Sequence, residues 1–305
     1  MAAQAREYRR GIDLLRFVAA LGIVADHAMG RDLWFVGYPS LGLFLILISY
    51  FGVGSYLRHG SERFWSARAV RLLKPWLFWC LFYRLVWEWR REGPFELLSN
   101  PWTLLIGPSI HLWFLPFAAL ALVFVPLIAR EVTGRAGLAA ASAALAVLYV
   151  LLGLVHASAI DAAWLGVGEG LPPPLPQWAF ALPIYLWGAV AAVGHRLDAA
   201  WIPLVAAAAG SAVMTVLHFD QASWQLILAA LIFEGVWRWR GGGEWMTRAA
   251  GYAFGLYLMH PFWVLVGYKV MGPGMAPGVG LLFGVSGSLA GTWVFKRLPV
   301  LRGML

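Results

Sequence analysis

Arg16 and His27 are the first residues whose types and spacing suggest chemistry, because both interrupt one long apolar stretch. On a helix turning ~100° per residue, their separation of 11 positions puts them within about 20° of one face and about 16 Å apart along the axis. Ionisable groups inside a membrane span are costly, so they face a protein interior or a water-filled cavity. The pair is therefore expected to line one passage at two depths. A guanidinium there holds an anion, while an imidazole transfers protons near neutral pH or acts as a nucleophile. Purely structural roles also exist: an Arg near a helix end snorkels to headgroups, and a membrane His bridges neighbouring helices. The shared face, with Asp13 one turn before Arg16, favours function. Asp26 adjoins His27 but is turned ~100° away, so it is not expected to orient the imidazole.

Further ionisable and aromatic residues recur at intervals. Arg68 and Arg71 stand at i and i+3; if helical, they project on one side and could grip phosphate oxygens, although topogenic charge alone would also explain them. His111-Leu112-Trp113-Phe114-Leu115-Pro116 opens one apolar stretch, and another contains Tyr257-Leu258-Met259-His260-Pro261. An aromatic belt explains many Trp and Tyr residues of a membrane protein, but not histidines. His59, His156, His195 and His218 lie at span ends or loops and need no special role. Three scattered histidines (His27, His111 and His260) with no HExxH pattern make a weak metal signal, and Cys80 is alone. No metal is expected.

The elements that must position these groups follow from composition. Of the 305 residues 61% are hydrophobic and 12% charged, with 18 Trp and 18 Phe, which excludes an ordinary soluble fold. A spanning helix needs about 20 mostly apolar residues. Hydropathy and breakers predict spans near 12–30, 36–57, 75–89, 110–129, 136–156, 178–194, 200–218, 223–237, 250–268 and 278–295. The third is short, and its Arg84 and Glu88 suggest an outer end facing protein or water. With the N-terminus inside, 18 of the 23 Lys and Arg residues fall on the inner side, the distribution of a multispanning protein with an even number of spans and both termini cytoplasmic. In that layout His27, His111 and His260 all fall in the outer half of the bilayer. The net charge of +8 is spread over short loops rather than gathered in one patch, so no nucleic-acid partner is expected. Arg6, Arg9 and Arg10 precede the first stretch without a cleavage site before Arg31, which reads as an uncleaved first helix. The longest outer segments, near 90–109 and 157–177, could be lids over a site or plain connections; the second holds Pro172, Pro173 and Pro174. The fold expected is all-α, polytopic and integral to the membrane, with about ten transmembrane helices in a single domain over 1–305 and no appended soluble domain.

Taken in order, these motifs resemble the membrane acyltransferase type 3 family, which includes O-acetyltransferases of bacterial surface glycans. The resemblance covers nearly the whole chain. It is carried by Arg16, ten residues and His27 within Asp13-Leu14-Leu15-Arg16-Phe17, then Arg68-x-x-Arg71, His111-x-Trp113-Phe114-Leu115 and Tyr257 to Pro261. Two departures stand out: Ser49 is followed by Tyr50 where the family usually has Gly, and Gly251 stands where Ser commonly precedes the Tyr.

The resemblance implies an O-acyltransferase in the bacterial inner membrane. Its donor is acyl-coenzyme A, most simply acetyl-coenzyme A, entering from the cytoplasm. Its acceptor is a hydroxyl of a glycan or lipid-linked sugar at the outer face. It implies His27 as the catalytic residue, either taking a proton from the hydroxyl or carrying the acyl group. Arg68 and Arg71 would hold the donor's phosphates, with Arg16 farther into the passage. Asp13, Ser49, His111, Trp113, Tyr257 and His260 complete the implied pocket. Two other readings compete. A transporter would use Arg16 and His27 without covalent chemistry, although neither inverted repeats nor midplane helix breaks are clear. A membrane scaffold would leave the paired Arg and the histidines unexplained.

Overall fold

The computed structural model describes residues 9–88, 109–156, 174–217 and 223–305. Within them the ordered elements are helices, without strands. α1 is Arg10–Met29, followed by a short 3-10 turn; α2 is Trp34–Glu88. A second 3-10 turn, Ile110–Trp113, leads into α3 (Phe114–Ala121) and α4 (Phe124–Glu131). α5 is Arg135–His156, α6 Leu175–Arg196, α7 Trp201–Leu217 and α8 Gln225–Arg238. α9 (Glu244–Ala250), α10 (Ala253–Met271), α11 (Pro277–Arg297) and α12 (Pro299–Arg302) follow. Most of the expected outer segments 90–109 and 157–177 lies outside the described residues, as do Arg6, Arg90, Arg91, Pro172, Pro173 and His218.

The expected spans are helical over their described residues, with three local differences. The second and third belong to one helix, α2, broken only at Gly60, whose φ of 74° and ψ of 176° are non-helical. A left-handed φ costs a residue with a Cβ energy, so glycine is suited to that break. The stretch carrying Arg68 and Arg71, expected as an inner loop, is therefore helical. The fourth expected span is two helices bent by 41°, α4 following the turn-plus-α3 piece, and the ninth corresponds to α10, which α9 precedes across a 46° bend at Gly251 and Tyr252.

Four helices among the described residues are long and apolar enough to cross a membrane, or six if each bent pair is one span. α7 is apolar but has only 17 residues. Outward faces are themselves apolar: Val147 and Leu151 on α5, Val205 and Val216 on α7 and Leu282 on α11 are exposed, Val216 to 86%. A water-facing helix would carry polar residues there; a hydrocarbon-facing one needs none.

The chain forms two compact units, each assembled from segments distant in sequence. The first takes the described chain to Leu43 together with Ala229–Trp293. In it α1 packs on α9 and α10. Ile12, Leu15, Ala19, Ile23 and Val24 of α1 are buried, the three-to-four-residue rhythm of a helix with one buried face. The second unit takes Phe44–Leu228 with Val294–Leu305. Here α5 packs on α6 and α7, around a core that includes Trp187 and Tyr149.

Candidate active site

In the first unit, the N-terminal end of α1 is pinned by its arginines. Arg9 lies 4.1 Å above the centre of the Trp237 ring and donates to the Trp237 carbonyl, and Arg10 donates to the Gly242 carbonyl at 3.2 Å. Two turns on, Arg16 pairs with Asp13 at 3.9 Å; the carboxylate is buried and the Arg16 side chain is 39% exposed. The acid thus points the guanidinium while leaving much of it accessible. Because α1 is regular from Arg10 to Met29, the common face of Arg16 and His27 inferred from their spacing holds.

His27 lies in the last turn of α1 and is exposed, and its ring meets the His260 ring edge-on at 4.9 Å between centroids. Each imidazole is held through Nδ1. His27 Nδ1 lies 2.9 Å from the Ile23 carbonyl, and His260 Nδ1 lies 2.8 Å from that of Tyr257 and 3.2 Å from that of Leu256. A carbonyl oxygen only accepts, so Nδ1 carries the proton and donates, leaving the lone pair on Nε2. His27 accordingly presents the basic, nucleophilic nitrogen at its outer edge.

Pro261 explains the second anchor. In a regular helix the nitrogen of residue 261 would donate to the carbonyl of Tyr257, four residues earlier, but proline has no N–H. His260 Nδ1 fills that role. His260 is 0% exposed, and a buried imidazole is held by such a bond rather than by water. The Tyr257 ring lies 6.4 Å from the His260 ring. Asp26 packs its side chain against Gly37 of α2 and also lies within electrostatic reach of His27, an interaction that the ~100° offset on the helix does not predict.

The second unit holds the other residues singled out above. Ser49 is buried, bonds back to the Leu45 and Ile46 carbonyls at 3.2 Å and packs against Gly188 of α6. The Tyr50 hydroxyl and His195 Nδ1 share a 2.8 Å hydrogen bond, which gives the tyrosine at this position a partner and His195 a structural role. His111 is buried, shares a 2.9 Å bond with the Ser109 hydroxyl and meets the Tyr83 ring at 5.1 Å. Trp113 packs on Phe114 and Phe117. Arg68 lies over Phe64 at 5.7 Å and within electrostatic reach of Arg71 and Tyr185, while Arg71 is exposed.

The first unit therefore gathers Asp13, Arg16, His27, Tyr257 and His260, and the second Ser49, Arg68, Arg71, His111 and Trp113. Reasoning from sequence missed Tyr185, Tyr83 and the part played by Pro261. The last had a signal in the spacing: a proline four residues after Tyr257 frees that carbonyl for a histidine directly before it.

Apolar outward faces around helices that carry buried charged and imidazole side chains define a polytopic helical membrane protein. A family model described as an acyltransferase domain matches residues 9–297, and the chain belongs to the acyltransferase type 3 family. No curated protein and no solved structure matches it. The chain is thus a membrane acyltransferase.

A first prediction concerns the proline. Pro261→Ala restores an N–H that competes with His260 for the Tyr257 carbonyl. Turnover is expected to fall about tenfold, the effect of ~1.4 kcal/mol. The melting temperature is not expected to fall, because a proline inside a helix is itself unfavourable. Thermal unfolding and an acyl-transfer assay on the same preparation check both parts.

Proposed function

We propose that this protein moves an acyl group, most simply acetyl, from cytoplasmic acyl-coenzyme A to a hydroxyl of a glycan or lipid-linked sugar at the outer face of the bacterial inner membrane. About ten spans with both termini cytoplasmic give the donor and the acceptor separate entrances. The observation that carries the reading is the accessible imidazole of His27, its tautomer set by the Ile23 carbonyl and its ring backed by His260.

The reaction then balances in either of two ways. In direct transfer, Nε2 of His27 takes the hydroxyl proton as the oxygen attacks the thioester carbonyl. The C–S bond breaks, an ester forms, and the leaving thiolate recovers the proton from the imidazolium. In two-step transfer, Nε2 itself attacks the thioester and the C–S bond breaks, leaving an acylimidazolium and a thiolate; the hydroxyl oxygen then takes the acyl group, the C–N bond breaks to free the imidazole, and the hydroxyl proton neutralises the thiolate. Arg68 and Arg71 hold the donor's phosphates, and Arg16 stabilises negative charge. Asp13 orients Arg16; Tyr257 and His260 of the first unit, and Ser49, His111 and Trp113 of the second, are assigned to substrate binding. No metal takes part in this scheme.

The test is reconstitution of the purified full chain in vesicles with acetyl-labelled coenzyme A and a membrane glycan fraction. Label is expected on acceptor hydroxyls only when donor is supplied on the side bearing both termini, as located by protease protection of terminal tags. Label transfer from the opposite side, or termini on opposite sides, overturns the topology. Failure to transfer label from either side overturns the donor.

A further inference from the structure

The second unit contains a polar row that the scheme above leaves unused. Tyr185 of α6 is 0% exposed, and among the described residues its hydroxyl has no hydrogen-bond partner. Seven residues earlier, two turns along the same face and about 10 Å away, the indole N–H of Trp178 is also buried without a partner among the described residues, as is the side-chain oxygen of neighbouring Gln177. Phe117 of α3 lies against both rings, 5.9 Å from Tyr185 and 6.1 Å from Trp178. Arg68 is within electrostatic reach of the Tyr185 end.

Buried polar groups are almost always satisfied, and each exception asks for a reason. Three such groups within two turns of one helix, beginning beside a guanidinium, have a simple one: their partners arrive with a ligand. The chemistry specifies that ligand closely. Arg68 calls for an anion at one end. An indole N–H donates only, an amide oxygen accepts only, and a phenol does either, so the row complements a chain bearing amide groups, each with one donor and one acceptor. A phosphate-bearing head continued by an extended, amide-containing arm has this form.

Resting on the donor assigned above, we propose that the α6 face carrying Tyr185, Trp178 and Gln177 binds the pantetheine arm of the acyl donor, with the Tyr185 hydroxyl bonding the amide nearest the phosphates held by Arg68. The arm then runs along α6 away from the cytoplasmic end at Arg196. Its two amides find partners in protein rather than in lipid, and the thioester lies beyond them.

Tyr185→Phe tests this cleanly, because it deletes a hydroxyl that makes no hydrogen bond among the described residues. The purified full chain in nanodiscs is titrated with coenzyme A and with adenosine 3′,5′-bisphosphate, which has the head without the arm. The variant is expected to bind coenzyme A about tenfold more weakly, to bind the bisphosphate as the wild type does, and to melt no lower than wild type in the absence of ligand. Trp178→Phe should behave likewise. Equal coenzyme A affinity of wild type and Tyr185→Phe overturns the inference and leaves the donor assignment standing. So does a lowered melting temperature with both ligands weakened, since the hydroxyl would then serve the fold. A wild-type chain that binds no coenzyme A overturns the donor assignment itself.

Discussion

His27→Ala is expected to lower acyl transfer by about 10²–10⁴-fold, the usual contribution of a positioned acid–base group, while the protein inserts and folds as before. The side chain is exposed and bonds back to its own helix at Ile23. Its loss leaves no packed cavity and should cost no more than ~0.5 kcal/mol of stability, as for other exposed positions. Labelled acetyl transfer and thermal unfolding of the same preparation check the two halves. A variant with full turnover removes His27 from the chemistry. A variant that fails to fold shows that the imidazole serves the packing of α1 on α10. Rapid-quench trapping of acylated wild-type chain before acceptor is added would select the two-step route, and its absence at full turnover the direct one.

The second large effect lies in the fold. A Cβ at Gly188 would stand 2.3 Å from the Ser49 hydroxyl oxygen, 2.5 Å from the Ile46 carbonyl oxygen and 2.7 Å from the Ile46 Cα. Two of these three atoms are backbone and cannot rotate aside. Gly188→Val must therefore push α6 off α2. Overpacking costs about 1–3 kcal/mol even where side chains can adjust, so the loss here should reach at least the upper end, a large part of a total stability of about 5–15 kcal/mol. The expected result is a sharp fall in melting temperature and in monodisperse yield after detergent extraction. An unchanged melting temperature would show that the two helices are not in the contact described.

Much of this was legible in the sequence because the membrane reduces folding to a few strong rules. Apolar length located α1, α5, α6 and α11 to within a few residues, and the spacing of Arg16 and His27 translated directly into a shared helix face. The family resemblance rested on four short motifs and the family match covers the same chain. What hydropathy could not give was the behaviour of the stretch around Gly60, where charged residues read as a loop yet continue as helix. Charge density marks a departure from lipid, not a departure from helical dihedrals. Nor could it find Tyr185 or Trp178: one tyrosine or tryptophan among many in apolar helices carries no mark of an unmet hydrogen bond, which exists only once neighbours are packed. The Tyr50 and His195 partnership joins positions 145 residues apart in the chain, and single-sequence patterns hold no information about such pairs.

The way α1 is packed has a consequence for how the protein is made. α1 leaves the ribosome well before its partners α9 and α10, which belong to a stretch that starts more than 200 residues later. At about 5–20 residues per second, Asp13 and Arg16 wait on the order of 10–40 seconds in or beside the bilayer before the helices that cover them emerge. His27 meets His260 only after that later stretch has emerged. The contact between His27 and His260 thus forms late relative to α1 itself, and an insertase that shelters α1 during this interval would govern the yield of folded protein.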